Sequence, residues 1–248
     1  MRLRVVSYNI HRAIGVDRRF RPDRIVDILR HQNADVVLLQ EVDEGVPRSR
    51  ELDLARELAA DAGFEHYAVG HNVTLRKGRY GNATLSRYPI LRERNIDLTV
   101  GRRKRRGCQH TRVRIEGPRG RRHRLEVFNL HLGLSAKERL EQVALLSRSR
   151  ELTGLSPGVA CLIGGDFNDW RSQLYAPLVE ALGFRSACDG PNPRERPIPT
   201  YPSFFPQAAL DRIYYRGPLR LEWASRGRHD LTRLASDHLP LVADLELP

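Results

Sequence analysis

The sequence predicts an α/β fold in which two sheets pack together within one domain and the helices lie outside them. Segments with helical periodicity are few, and many strand-like segments separate them, some following one another as in a meander. No linker, repeat or low-complexity segment divides the 248 residues, so one domain over 1–248 is expected. A doubly wound nucleotide-binding fold is the rival, but no G-x-G-x-x-G motif follows the first strand.

The first half of the chain alternates strands and helices before a run of strands begins. Residues 21–32 place Ile25 and Leu29 on one helical face, which predicts a helix. A second helix is predicted over 52–63, with Gly63 at its end. Strands are predicted over 3–10, 34–42, 64–70, 81–87, 92–100, 109–116 and 124–132.

The second half contains the clearest helix, predicted over residues 135–152. Ser135 and Glu138 have the spacing of a capping box at its start. Another helix is predicted near 174–182, followed by a Pro-rich loop over 191–206. Strands are predicted over 159–163, 211–216, 219–224 and 240–246.

Composition places the chain among soluble globular proteins. Hydrophobic residues make up 40%, enough for a sizeable core, and charged residues make up 29%. No segment approaches the ~18 consecutive apolar residues of a membrane span. The chain opens with a strand-like pattern rather than the apolar stretch of a signal peptide. Its three widely spaced cysteines favour a reduced, cytoplasmic protein without a disulfide framework or a zinc pair.

The net charge of +12 is concentrated in two segments that are predicted to be loops. GRRKRRG (101–107) contributes five positive charges and GPRGRRHR (117–124) contributes four, so the balance without them is +3. A basic patch there would suit nucleic acid, an anionic membrane or a polyanionic small molecule. A codon bias toward arginine is the alternative explanation for these basic segments, because 39 of the 42 basic residues are arginine.

Polar residues recur at the ends of the predicted strands. A single polar residue at a strand end is usually a cap or a satisfied core group. The repetition at six strand ends is harder to explain in that way, because ligand sites in sheet proteins collect at strand ends and in the loops that follow them. The residues concerned are Asn9, Gln40, Glu41, Asn82, Asn129, His131, Asp166, Asn168, Asp211, Asp237 and His238.

Seven motifs along the chain resemble those of one known superfamily. They are SYNIH (7–11), LLQEV (38–42), GNATLSRYPI (81–90), FNLHLG (128–133), GGDFNDW (164–170), LDRIYY (210–215) and SDHLPLVADL (236–245). Their order is similar to that of the endonuclease/exonuclease/phosphatase superfamily, which includes DNase I, abasic-site endonucleases, neutral sphingomyelinases and inositol polyphosphate 5-phosphatases. The resemblance covers roughly residues 3 to 246 and is greatest to compact bacterial members of unassigned substrate.

The resemblance implies a DNase I-like, four-layer α/β sandwich, with two packed, mostly antiparallel sheets flanked by helices. It also implies a phosphodiester hydrolase that depends on Mg²⁺ or Mn²⁺. Such a reaction needs a cation at the phosphate, a positioned water and a proton for the leaving oxygen. Glu41 matches the principal metal ligand of the superfamily, Asn9 matches the amide directed at metal or phosphate, and Asp237 lies on the metal side.

The remaining matched residues are expected to act on the phosphate and the water. Asp166 matches the residue that positions or deprotonates the attacking water, and Asn168 matches an amide donor to the phosphoryl oxygens. His238 matches the histidine at the scissile phosphate, and Asp211 matches its carboxylate partner. Whether Asp166 or His238 is the general base stays open. His131 lies where DNase I and the sphingomyelinases carry a histidine, and an ordinary pKa of ~6.5 would suit a second general acid.

Other residues have two interpretations each. His11 and Asn82 are candidate phosphate contacts, with a structural hydrogen bond for the first and a turn cap for the second as the alternatives. In TYPSFFP (200–206), Tyr201, Phe204 and Phe205 could stack on bases or enter a membrane interface, but core packing beneath the site is favoured. Asp169, which follows the DFN triplet, is interpreted as structural.

The substrate is left open at this stage. Nucleic acid is favoured marginally, anionic phospholipid comes next, and a soluble inositol phosphate is third. A non-catalytic binding module is the alternative class, but it would be expected to lack at least one of Glu41, Asp166 and His238, and all three are present. The protein is expected to be monomeric.

Overall fold

The computed structural model describes residues 1–117, 120–188 and 197–248. Its strands are β1 (Arg2–Asn9), β2 (Val36–Glu44), β3 (His66–Thr74), β4 (Arg79–Ser86), β5 (Ile90–Asp97), β6 (Gly107–Glu116), β7 (Arg122–His131), β8 (Ala160–Asp166), β9 (Arg185–Ser186), β10 (Asp211–Arg216), β11 (Arg220–Arg226) and β12 (Leu241–Glu246). The α-helices are α1 (Pro22–Gln32), α2 (Leu54–Ala62), α3 (Ala136–Ser147), α4 (Arg150–Thr153) and α5 (Thr232–Ala235). A π-helical turn covers Ala176–Ala181, and 3-10 turns cover His11–Ala13 and Pro47–Ser49.

The strands form two six-stranded sheets. The first has the order β11-β12-β1-β2-β4-β3, and the second has the order β5-β6-β7-β8-β10-β9. Only β1 with β2 and β7 with β8 pair in parallel in the described part of the chain, so both sheets are mixed and mostly antiparallel. This arrangement confirms the predicted two-sheet architecture and contradicts the doubly wound rival.

Three apolar clusters hold the layers together. Val5 and Leu38 of the first sheet pack between the sheets with Val127 and Leu162 of the second. Helices α1 and α2 cover the outer face of the first sheet through residues such as Leu58. Helix α3 covers the outer face of the second sheet in the same way. The fold is therefore a four-layer α/β sandwich, as the resemblance implied.

The predicted helix over 135–152 is two helices. Ser149 interrupts it, because its hydroxyl accepts a hydrogen bond from the Leu152 amide (3.4 Å) and caps α4. Ser135 caps α3 as predicted, but the carboxylate of Glu138 accepts hydrogen bonds from Arg103 (3.1 Å) and Gln142 (3.3 Å) instead of reaching back. Short elements such as β9 and α5 were not predicted, because they are too short to show a periodicity. Of the Pro-rich loop predicted over 191–206, residues 191–196 lie outside the described residues.

A buried polar network joins the two sheets just below their strand ends. The Asn129 side chain donates to the backbone carbonyls of Leu39 (3.1 Å) and Ala83 (2.9 Å), both in the other sheet. It also accepts from Gln40 Nε2 (2.8 Å), while Asn82 donates to the Asn129 carbonyl (3.1 Å). Because these groups have no access to water, each needs its partner. The network therefore fixes one sheet relative to the other where the polar strand ends meet.

Replacing Asn129 by alanine is expected to lower the free energy of unfolding by about 3–5 kcal/mol, because several buried groups in both sheets lose their partner. Urea denaturation followed by circular dichroism measures this change. A loss below about 1 kcal/mol would mean that relaxation or water replaces the network, contrary to this prediction.

Candidate active site

Three neighbouring strands of the second sheet end side by side with polar residues. In the registers of the sheet, Asp166 at the end of β8 lies opposite His131 of β7 and opposite Asp211 of β10. All three side chains are buried, with exposures of 6% or less. The sequence-predicted residues of these strands are therefore brought together.

Two glycines allow Asp166 to reach this position. A side chain at Gly165 would meet the Leu130 carbonyl oxygen of β7 at 1.9 Å, and its φ of +141° also favours glycine. A side chain at Gly164 would meet Leu38 of the opposite sheet at 2.5 Å. The two glycines thus let β8 pack closely against β7 and against the opposite sheet, and Asp166 then places its carboxylate at the edge of the sheet.

Asp166 is the centre of the site. Its Oδ2 accepts a hydrogen bond from Asn9 Nδ2 (3.0 Å), so the first sheet contributes directly to the site. The same oxygen lies 3.5 Å from His131 Nε2 and 3.8 Å from His238 Nε2. Its Oδ1 accepts from the Asn168 backbone amide (2.9 Å). Both histidines therefore lie within 4 Å of the same carboxylate oxygen.

His238 and Asp211 form a buried pair beside Asp166. His238 Nδ1 lies 2.8 Å from Asp211 Oδ2, which confirms the predicted hydrogen bond. That oxygen also accepts from the Thr200 hydroxyl (2.6 Å), which fixes the carboxylate. The Tyr201 ring lies against the imidazole with centroids 5.0 Å apart. The His238 ring is consequently held in one orientation, with Nε2 directed toward Asp166.

The buried charges set the protonation of this pair and of Asp166. Burial alone would lower the pKa of His238, but the carboxylates of Asp211 and Asp166 outweigh it and raise the pKa. Burial raises the pKa of Asp166 above its ordinary range, although the charge of His238 opposes it. His238 is therefore an imidazolium at neutral pH, and Asp166 is a stronger base than an ordinary aspartate.

His131 differs from the sequence-based expectation of an ordinary pKa. Burial, and then the positive charges of Arg106, His238, Lys104 and Arg12, lower its pKa well below 6.5. An imidazole in that position is neutral at neutral pH. A neutral His131 offers one N–H donor and one acceptor nitrogen, and its role as a second general acid stays a prediction.

Glu41 lies on a β-bulge at the end of β2. The register with β4 shifts between Leu39 and Val42, and Glu41 has a φ of +60°, in the left-handed region. Its Oε2 is buried, has no hydrogen-bond partner in the described part of the chain and lies 3.4 Å from Arg12 Nε. The bulge therefore directs a carboxylate oxygen into the site without a hydrogen bond.

A divalent cation with few protein ligands fits this donor set. Glu41 Oε2 accepts no hydrogen bond and has only the ion pair with Arg12, so it can serve as an anionic ligand, and Mg²⁺ takes oxygen ligands while keeping several waters. No group of three or more His, Cys, Asp or Glu side chains with the arrangement of a metal cage occurs among the described residues. Asp237 is partly exposed, and its Oδ1 lies 3.4 Å from the Ser236 hydroxyl. The site thus fits a hydrated ion better than a fully caged one.

The amide residues keep hydrogen-bonding capacity for a ligand. Asn168 Nδ2 donates one hydrogen to the Leu132 carbonyl (3.0 Å), which leaves its second N–H. Asn9 Oδ1 accepts from the His11 amide (3.1 Å), which leaves one lone pair. His11 Nδ1 lies 2.9 Å from the Ile14 carbonyl, and Asn82 bonds to backbone carbonyls between the sheets. For His11 and Asn82, contact with phosphate stays a prediction.

The aromatic residues of the TYPSFFP segment do not all pack in the core. Phe204 and Phe205 are each 64% exposed, which contradicts the favoured interpretation for them. Ser203 is the buried residue of this turn, because its amide donates to the Asp237 carbonyl (2.7 Å) and thereby turns the phenylalanines outward. Trp170 is 58% exposed and touches the Tyr201 ring, with centroids 5.7 Å apart. Asp169 is structural as predicted, since it accepts hydrogen bonds from the amides of residues 173 and 174.

Four residues around Glu41 were not among the sequence-predicted site residues. Arg12 follows the SYNIH motif directly, and Tyr80 precedes the GNATLSRYPI motif by one residue. Lys104 and Arg106 belong to the basic segment 101–107, which the sequence marks by charge alone. Lys104 Nζ lies 5.4 Å from the centroid of the Tyr80 ring. Proximity to a motif was the available signal for Arg12 and Tyr80, and charge was the signal for Lys104 and Arg106, but neither signal shows where the side chains point.

Comparisons with known proteins agree with this geometry. The model of the Endonuclease/Exonuclease/phosphatase family matches residues 6–238. The chain is 33% identical to the uncharacterized protein YbhP of Escherichia coli, covering 98% of this chain and 96% of that protein. A family member from Bacteroides vulgatus has a similar structure, with a TM-score of 0.77, 20% identity and complete coverage of both chains. A mannosyl-6-phosphatase of Bacteroides thetaiotaomicron superposes with a TM-score of 0.75 at 18% identity, covering 99% of this chain and 100% of the other. This chain belongs to the endonuclease/exonuclease/phosphatase family.

Proposed function

We propose that the protein is a Mg²⁺- or Mn²⁺-dependent phosphodiester hydrolase. The observation that carries this proposal is the buried group formed by Asp166, His131, His238 and Asp211, with the orphaned Glu41 oxygen nearby. Members of this family hydrolyse phosphoesters, and the arrangement supplies a base, a cationic donor and a place for a metal ion.

In the proposed reaction Asp166 accepts a proton from the attacking water. His238 is already protonated, so it is unsuited to that role and instead donates Nε2–H to the phosphate or the leaving oxygen. Asp211 keeps the imidazolium charged and oriented. Asn168 donates its remaining amide N–H to a phosphoryl oxygen.

The metal ion would be held by Glu41, with Asn9 and Asp237 as the further candidate ligands. It would neutralise charge on the phosphate and help to orient the phosphoester. The phosphate contacts expected of Asn9, His11 and Asn82 are part of the same proposal.

Nucleic acid is the proposed substrate. Support comes from the net charge of +12 and from the basic segment 101–107, which extends from the site to solvent. Lys104 lies against the Tyr80 ring, and Arg102, Lys104 and Arg105 are all exposed. A backbone of phosphates is attracted to such a surface.

A phospholipid is the second candidate. Trp170, Phe204 and Phe205 are all more than half exposed, and Trp170 contacts the Tyr201 ring that lies against His238. Exposed aromatic side chains beside basic residues are typical of surfaces that contact a membrane interface. No described helix has the length and apolarity needed to cross a membrane.

Metal removal tests the reaction, and a parallel assay tests the substrate. We expect hydrolysis of bis-p-nitrophenyl phosphate to disappear in excess EDTA and to return with Mg²⁺ or Mn²⁺. Full activity in EDTA would contradict the proposal.

The same preparation should then be assayed with single- and double-stranded DNA, RNA and anionic phospholipid vesicles. If the phospholipid is cleaved while DNA and RNA stay intact, phospholipid replaces nucleic acid as the proposed substrate.

A further inference from the structure

Three cations line the Glu41 side of the site. Arg12 Nε lies 3.4 Å from Glu41 Oε2, and Lys104 Nζ lies 5.4 Å from the centre of the Tyr80 ring. The positive charge of Arg106 acts to lower the pKa of both Tyr80 and His131, although burial raises the pKa of Tyr80 overall. We call Arg12, Lys104 and Arg106 the cationic wall.

The two arginines of the wall have buried donors without partners. Arg106 is only 7% exposed, yet its Nε has no hydrogen-bond partner in the described ranges, and the same holds for Arg12 Nε. A buried donor that lacks an acceptor costs about 1–3 kcal/mol, and more when it is charged. Arg106 Nε is therefore a buried, charged donor without an acceptor among the described residues, whereas Arg12 Nε has only its ion pair with Glu41 Oε2 at 3.4 Å.

Arg48, which lies near the wall, is an example of a cation with a purely structural role. Arg48 lies 5.8 Å from the same Tyr80 ring, but Asp43 pairs with it through two hydrogen bonds of 2.8 Å. Among the residues that the structure describes, Glu41 is the carboxylate that pairs with the wall, and the proposed metal ion would share it. Its positive charge is consequently in excess.

The scissile phosphate alone does not account for this excess charge. In the proposed reaction the imidazolium of His238 and the amide of Asn168 already face that phosphate. A phosphodiester carries a single negative charge, whereas a neighbouring phosphate brings further charged oxygens suited to guanidinium and ammonium donors.

We propose that Arg12, Lys104 and Arg106 bind a second phosphate group of the substrate, next to the phosphoester that is cleaved. This inference rests on the proposed function, because it concerns the substrate class of the same site. The second phosphate belongs to a neighbouring position of a nucleic-acid strand or to a phosphorylated lipid headgroup. Both present the same oxygens to the wall.

Binding of inorganic phosphate tests the wall without turnover. Calorimetry in EDTA should show that Lys104→Met weakens phosphate binding about tenfold, as expected for the loss of one charge-assisted contact. Lys137→Met is the matched control, because Lys137 is an exposed lysine on α3. Equal binding by wild type and Lys104→Met, or equal weakening in both variants, would overturn the proposal.

Paired substrates then identify the source of the second phosphate. The dinucleotides dTpdT and pdTpdT differ by one terminal phosphate, and glycerophosphoinositol with and without a ring phosphate forms a second pair. We expect about tenfold higher kcat/KM for the more phosphorylated member of one pair, and a ratio near one in Lys104→Met but not in Lys137→Met. Preference in the first pair indicates a nucleic-acid strand, and preference in the second indicates a lipid headgroup.

No preference by the wild-type protein in either pair would overturn the inference. If no substrate is hydrolysed with Mg²⁺ or Mn²⁺ while phosphate binding still depends on Lys104, the proposed hydrolysis fails and the phosphate subsite stands. The two failures are therefore distinguishable.

Discussion

Replacing Asp166 by asparagine is expected to lower kcat/KM for bis-p-nitrophenyl phosphate by about 1000-fold or more, because the amide cannot accept a proton from water at neutral pH. Asparagine has nearly the same shape as aspartate, so the bond from Asn168 and the packing against Gly165 can remain. Steady-state kinetics with saturating Mn²⁺ measure the effect. Asp166 contacts Asn9, Asn168 and both site histidines, so the loss of its charge affects the centre of the site.

The control for this variant is Asp27→Asn, an aspartate exposed on α1. It removes the same charge from the chain and should leave kcat/KM within about twofold of wild type, as surface substitutions usually do. If a folded Asp166→Asn protein keeps more than about a tenth of the activity, Asp166 is not the base, and another group must accept the proton.

Replacing Asp211 by asparagine is expected to lower kcat about 100-fold while the half-saturating concentration of Mg²⁺ or Mn²⁺ changes little. Asp211 Oδ2 lies 2.8 Å from His238 Nδ1, and its charge is one cause of the raised pKa of His238. An amide cannot stabilise the imidazolium in the same way, so the ring would lose its proton at lower pH.

The comparison of turnover with metal dependence distinguishes two roles for Asp211. A positioning residue changes kcat, whereas a ligand changes the metal concentration needed for activity. If the half-saturating metal concentration rises by a larger factor than kcat falls, Asp211 is a metal ligand and the assignment made here is incorrect.

The strand ends of the site could be predicted from the sequence, because polar residues flank apolar runs there. Asp166 ends β8 and Asp211 begins β10, and these antiparallel strands, which place the two residues opposite each other, were predicted close to their true positions. The bulge at Glu41 could not be predicted, since it arises from the register between β2 and β4. A register is a property of two distant segments and has no local signal.

The directions of the side chains in the loops could not be predicted from the sequence either. The segment 101–107 contains five basic residues with the same local character, yet Arg106 is buried, Arg103 bonds to Glu138 and Lys104 faces Tyr80. Phe204 and Phe205 show the same difficulty, because a preference for burial does not reveal that the buried hydroxyl of Ser203 takes the inner position. Burial preferences describe residue types, whereas these positions depend on the packing of a particular turn.

The left-handed backbone of Glu41 means that function at this position is maintained at the expense of stability. A residue with a Cβ loses roughly 1–2 kcal/mol in that conformation, and asparagine loses less than glutamate does. The lone buried oxygen beside Arg12 adds a further cost, because it has lost water without gaining a hydrogen bond. Selection for heat resistance alone would therefore favour asparagine or glycine at position 41. Under the proposed function, thermostable but inactive variants of this protein should carry changes at that bulge more often than in the hydrophobic core.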